Sequence, residues 1–217
     1  MKYVLDLHTH SSASPDGGLR LEDYARMLQT GPLTHIAITD HNRIDFAVTA
    51  HERLGDGIIV GEEIKTTEGE IIGLFLREPV AAGLSAAETA ARIHSQGGIV
   101  YIPHPFETIR SGVSPAVLDH IAGRVDIIET YNGRALLRQK NRRAEAWAQQ
   151  HHCPGAASSD AHGRAGWGRT YSAIGNKPTA RTLAQALQTA SYRHTTVGLR
   201  GALYPSLNRL GKRLARA

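Results

Sequence analysis

The chain has 217 residues, 41% of them apolar, and a formal net charge of +5. That length suits one α/β domain with a sizeable core, and no apolar run reaches the roughly 18–20 residues of a membrane span. A lone cysteine, Cys153, excludes an intrachain disulfide and, with an N-terminus that lacks a signal-peptide layout, points to the cytoplasm.

In chain order, Tyr3–Leu7 reads as a strand that leads into His8 and His10. On an extended backbone residues i and i+2 share a side, so both imidazoles face one spot, an arrangement suited to a metal ion. Leu21, Tyr24, Ala25 and Leu28 recur at helical spacing. "HIAITDH" (35–41) and "GIIVGEE" (57–63) are β-branched strands separated by a helical "DFAVTAHERL", and "EIIGLFL" (70–76) follows a polar turn. Ser85 and Glu88 form a capping box for a helix running to about Gln96, where Gly97 and Gly98 stop it. "IVYIPH" (99–104) and "VDIIET" (125–130) are further strands, and a helix is expected from about Leu136 to His151. "GAASSDAH" (155–162) is a small-residue strand, and a last internal helix is expected from about Thr179 to Ala190.

Strands alternating with helices predict a mainly parallel sheet. No glycine-rich nucleotide loop follows the first strand, which removes the main support for a dinucleotide-binding fold. Nearly every strand instead ends on an imidazole or carboxylate. The first delivers His8 and His10, the second Asp40 and His41, and the third Glu62 and Glu63. Later strands end at His104, at Glu129, and at Asp160 with His162. In a (β/α) barrel the active site sits at that face. Buried carboxylates are costly alone, whereas carboxylates and neutral imidazoles around divalent cations offset one another. The pattern therefore predicts a multinuclear metal site at the C-terminal ends of barrel strands. Of the remaining histidines, His35 precedes its strand, His51, His94, His120, His151 and His152 fall in or beside helices, and His194 sits near the basic tail; all are read as structural.

Charge is unevenly distributed. Residues 161–217 contain ten Lys or Arg and no Asp or Glu, whereas the first 160 residues hold 15 basic and 20 acidic groups. A basic C-terminal segment favours an anionic substrate. Residues 1–200 are expected to form the catalytic domain, and 201–217 a basic helix or tail. Aromatic residues make up only 6% of the chain, so strand-tracking recognition of single-stranded nucleic acid is disfavoured.

The sequence resembles the PHP (polymerase and histidinol phosphatase) family, most closely its small stand-alone phosphoesterases. Four motifs carry the resemblance in order: His8-x-His10, "TDH" at Asp40-His41, "PHP" around His104, and "SDAH" at Asp160–His162. The resemblance implies an α/β fold, a distorted (β/α)7 TIM-like barrel of seven parallel strands. It also implies two or three divalent ions, of Mn, Zn, Fe or Mg. The first is expected at His8, His10, Glu63 and Asp160, with Glu63 bridging to a second that His104 also holds. The third is expected at Asp16, His41 and His162. One departure stands out, because "EIIG" places Glu70 where many members have a histidine that completes the second site. Glu70 is expected either to be a harder ligand favouring Mn or Mg, or to point elsewhere and leave support to Glu129.

The implied function is metal-dependent hydrolysis of a phosphate ester of a small metabolite or nucleotide, through a metal-bridging hydroxide. His41, Asp160 and His162 are the expected proton-handling residues, and Arg134 and Arg169 the expected grips on substrate phosphate. A small phosphorylated substrate is the expected partner. The alternatives are a phosphodiesterase or nuclease acting on oligonucleotides, or a metal-binding module without turnover. The sequence sets no oligomeric state.

Overall fold

The computed structural model describes residues 2–107, 110–135 and 138–215. Its elements follow the expected alternation. They begin with β1 (Tyr3–Asp6), α1 (Leu21–Thr30), β2 (His35–Ile38), α2 (Asp45–Leu54), β3 (Ile58–Thr66), β4 (Gly69–Leu74), α3 (Ala86–Ser95) and β5 (Ile99–Ile102). They continue with α4 (Pro115–His120), β6 (Ile127–Asn132), α5 (Arg138–Gln150), β7 (Gly155–Ser158), β8 (Tyr171–Ile174), α6 (Leu183–Leu187), β9 (Ser191–Arg193) and α7 (Gly198–Leu214). The capping box opens α3 as expected, with Ser85 and Glu88 each satisfying the other's backbone N–H. The expected start of α5 at Leu136 lies outside the described residues.

One nine-stranded sheet runs in the order β7-β6-β5-β4-β3-β2-β1-β8-β9. Its two ends curve toward each other. The segment after β1 meets the segment after β7 through a parallel bridge between Thr9 and Ala161, and His10 N–H donates to Ala161 O at 2.9 Å. The result is a nearly closed α/β barrel. One apolar cluster draws on every strand from β1 to β8, including Leu5, Ala37, Ile59, Ile72, Tyr101, Ile127, Ala156 and Ile174. Two further clusters pack helices against the outside, one around Ile93, Leu118 and Trp147 and one around Tyr24, Ala47 and Trp167.

The barrel departs from seven parallel strands at β4, which runs antiparallel to both β3 and β5. The cause is local. Only Thr67 and Glu68 separate β3 from β4, and two residues close a hairpin whereas a parallel return needs a crossover of a dozen or more. Strands β8 and β9 were not expected, since "YSAI" and "SYR" are short and weakly patterned. They extend the sheet beside β1 in antiparallel fashion. Helix α6 is shorter than the expected 179–190, covering only Leu183–Leu187.

Candidate metal centre

The strand ends converge as the spacing implied. His8 and His10 present their Nε2 atoms to each other at 3.1 Å, and both rings are fully buried. Glu63, at the far end of β3's parallel stretch, places Oε2 3.5 Å from His8 Nε2, 3.2 Å from His10 Nε2 and 3.2 Å from His41 Nδ1. Its other oxygen lies 3.0 Å from His104 Nε2. Asp160 Oδ1 sits 3.6 Å from both His8 and His10 Nε2 and 3.3 Å from His162 Nδ1. Asp16 Oδ2 faces His41 Nε2 at 3.4 Å and His162 Nε2 at 3.5 Å. All nine residues singled out as ligands are thus brought to one rim. They include Glu70, whose oxygens lie 3.9 Å from His41 Nδ1 and 4.0 Å from His104 Nε2.

Two of these side chains are aimed by unusual backbone. His104 and Asp160 adopt φ of 27° and 52°, the left-handed region that costs non-glycine residues on the order of 1 kcal/mol or more and clusters at functional sites.

Four overlapping sets of donors have ligand atoms mutually within 4.8 Å, close enough to share a cation: His10–Asp16–His41–His162, His8–His10–Glu63, His8–His104–Asp160, and His41–Glu63–Glu70. The donor chemistry fits divalent ions. Two imidazole nitrogens 3.1 Å apart, ringed by buried carboxylates, crowd lone pairs that only protons or cations can reconcile.

The electrostatics tell the same story. Burial works against ionised Glu63 and Asp160, yet the surrounding imidazoles and guanidiniums outweigh it and hold both carboxyls well below the usual range. Burial and then the Glu63 charge push Glu70 up to about 8. His41 rises to about 9, because Glu63 and Asp16 overcome the desolvation that opposes its charge. Burial and the neighbouring His10 bring His162 down to about 4.

Glu129 stands one layer behind. Its Oε1 lies 3.2 Å from His8 Nδ1 and accepts from Tyr101 Oη at 3.1 Å, and its Oε2 accepts from His104 N–H at 2.6 Å and Asn132 Nδ2 at 2.8 Å. With both oxygens engaged, it orients His8 and His104 and does not join them at the rim. Glu62 points to the other face and accepts from Val80 N–H at 2.8 Å.

The two arginines behave differently. Arg134 Nη1 reaches Asp160 at 3.2 and 3.3 Å. Arg169 is exposed ahead of β8 and, among the described residues, shows no hydrogen bond or ion pair with the cluster. The "GRAGWG" turn leaves it in solvent. Sequence reasoning missed Arg110, whose Nη1 donates to Asp160 Oδ2 at 2.8 Å and to Asn132 Oδ1 at 2.9 Å. It also missed Arg209, which meets Asp16 Oδ2 at 2.5 Å from the far end of the chain. The excess of basic residues in the last quarter was the only signal for Arg209, and nothing marked Arg110.

A PHP-domain model matches residues 6–158, and a PHP-associated model matches 138–191. The chain belongs to the PHP family. An uncharacterized protein of Methanocaldococcus jannaschii is 34% identical over 140 residues, covering 58% of this chain and 82% of that protein. Two crystal structures share the fold. PsfC of Pseudomonas syringae superposes with a TM-score of 0.69 at 16% identity, covering 99% of each chain. A two-domain protein of Bacteroides vulgatus, for which a PHP-like metal-dependent phosphoesterase unit has been predicted, superposes with a TM-score of 0.70 at 18% identity. This chain covers 65% of that protein, which covers 90% of this one.

Proposed function

We propose that the chain is a metal-dependent phosphoesterase that hydrolyses a phosphate ester of a small metabolite or nucleotide. The observation that carries this reading is the convergence of nine ligand-grade side chains, from His8 to His162, within one rim. Divalent cations held there would acidify a water and neutralise charge on a phosphoryl group. The first group would be held by His8, His10, Glu63 and Asp160, a second by Glu63, His104 and Glu70, and a third by Asp16, His41 and His162.

The chain's own residues supply the rest. Glu129 fixes the His8 ring through Nδ1, so that its Nε2 lone pair faces the rim. Arg110 and Arg134 hold Asp160 in place and bring positive charge close to where a phosphate would sit. A cleft of about 810 Å3 opens at His41 and is lined by Arg43, Arg209, Lys212 and Arg213. Asp45 also lines it, paired with Arg43, and the other basic side chains would draw an anionic substrate inward. His41 and His162 both face Asp16, and with Asp160 they are the residues that would pass a proton to the leaving oxygen.

Metal analysis of the purified protein, followed by a phosphate-release screen over sugar phosphates, mononucleotides and short oligonucleotides, tests this reading. Bound divalent ions with release from a monoester support it. Release from oligonucleotides alone would move the activity to phosphodiesters, and bound ions without any turnover would make the protein a binding module.

A further inference from the structure

The C-terminal helix is seated in an unusual way. Leu199, Leu203, Leu207, Leu210 and Leu214 of α7 are between 49% and 76% exposed. At about 100° per residue their spacing places all five within an arc of roughly 80°, on the side turned away from the barrel. Only Gly201 and Pro205 of this helix are buried. Apolar packing therefore cannot be what docks its C-terminal half.

Polar contacts to the Asp16 loop do so. Lys212 Nζ donates to Ser12 O and Gly17 O, each at 2.8 Å, and to Ser14 O, which uses all three ammonium hydrogens. Asn208 Nδ2 donates to Asp16 O at 2.8 Å and His162 O at 2.9 Å, so one amide ties together two loops that each carry a ligand of the third group. Both loops are shaped to receive the helix. A Cβ at Gly18 would stand 3.0 Å from the Asn208 amide, and one at Gly163 would stand 2.6 Å from the Tyr204 ring.

We propose that docking of α7 and occupancy of the Asp16–His41–His162 cation site are thermodynamically coupled, with Asn208 and Lys212 as positioning residues. The proposal rests on the metal-dependent reading above. Both side chains bind backbone carbonyls and leave the ligand atoms free, so they set where Asp16 and His162 stand without competing for the ion. Arg209 is different, because it occupies the same Asp16 oxygen that faces both histidines and must share it with a cation. Coupling of this kind is reciprocal. Whatever factor the helix contributes to ion affinity, the ion returns to helix docking.

The test uses Mn2+ as the probe on the full chain. Asn208→Ala and Lys212→Met should each weaken one ion by about tenfold or more, the usual cost of losing a group that orients ligands, while the other ions stay bound. Lys212→Arg should restore most of that loss. On the unsubstituted protein, Mn2+ should slow tryptic cleavage at Arg209, Lys212 and Arg213 by a comparable factor, and this arm needs no variant to fold. Unchanged Mn2+ affinity in both variants, or cleavage indifferent to Mn2+, overturns the coupling and leaves the phosphoesterase reading standing. A wild-type chain that binds no divalent ion overturns both.

Discussion

Glu129→Gln is the most searching perturbation of the centre, because it changes one atom behind the rim and none at it. Glu129 is 2% exposed and is met by four groups, His8 Nδ1, Tyr101 Oη, His104 N–H and Asn132 Nδ2. A glutamine must put its NH2 on one side. On the Oε2 side it would confront two donors with no acceptor. On the Oε1 side, Tyr101 can turn its hydroxyl toward Ser158 Oγ, 2.8 Å away, so this is the tolerable choice. There the NH2 donates to His8 Nδ1, which pushes the ring proton onto Nε2 and aims an N–H where a lone pair was. The charge-assisted bonds to the carboxylate are worth roughly 1.5–3 kcal/mol each before compensation. Loss of ligand orientation costs typically 10–100-fold in metal affinity, or about 1.4–2.8 kcal/mol. Mn2+ titration by calorimetry reads the affinity. Nitrogen NMR of the histidine rings in the protein loaded with diamagnetic Zn2+ reads which His8 nitrogen carries the proton, since, against the desolvation of burial, the neighbouring carboxylates hold metal-free His8 well above the usual imidazole range. Wild-type affinity with the His8 proton still on Nδ1 would refute the orienting role.

Three more outcomes are expected. Asp160→Asn should remove the first cation and also cost about 1–3 kcal/mol in urea unfolding at pH 7 without metal, because Arg110 and Arg134 lose the charge they both face at 2.8 and 3.2 Å. Equal unfolding midpoints would show that the guanidiniums do not depend on it. Glu70→Gln should lower the metal count or weaken one ion, and a normal count with unchanged affinity would make Glu70 a bystander of the β3–β4 hairpin. Because Glu70 is raised to about 8 and His41 to about 9, both carry protons below those values that a cation must displace. Mn2+ affinity should therefore climb with pH from about 7 to 9, with proton release, and a binding enthalpy independent of buffer ionisation would contradict this.

Much of the centre was legible because its ligands follow short apolar runs that break off in a polar residue, although Glu63 lies inside β3 (Ile58–Thr66) and not at its end. His8, His10, His41, Glu63, His104, Asp160 and His162 all carry that mark. Asp16 and Glu70 carry no such mark and were reached only through the positions that the family resemblance implies. What escaped lies at long range. Arg110 reaches Asp160 from 50 residues away, and Arg209 reaches Asp16 across 193, with no periodicity linking either pair. Arg169 shows the converse, a basic residue near a motif that folding leaves in solvent. The strand β8 was missed because its identity comes from pairing with β1 and not from "YSAI" itself, which is the usual way tertiary context decides strands.

The barrel closes at a seam. On one side of it the chain carries His8 and His10, and on the other Asp160 and His162, joined by the backbone bridge at Thr9 and Ala161 and by the hydrogen bonds that Ser159 donates to Asp6. A ligand gripping imidazoles from the first motif and a carboxylate from the last would act as a rivet through that joint. Stripping it should be felt first as a gape in the wall, with the opening and closing strands parting before the helices around them melt.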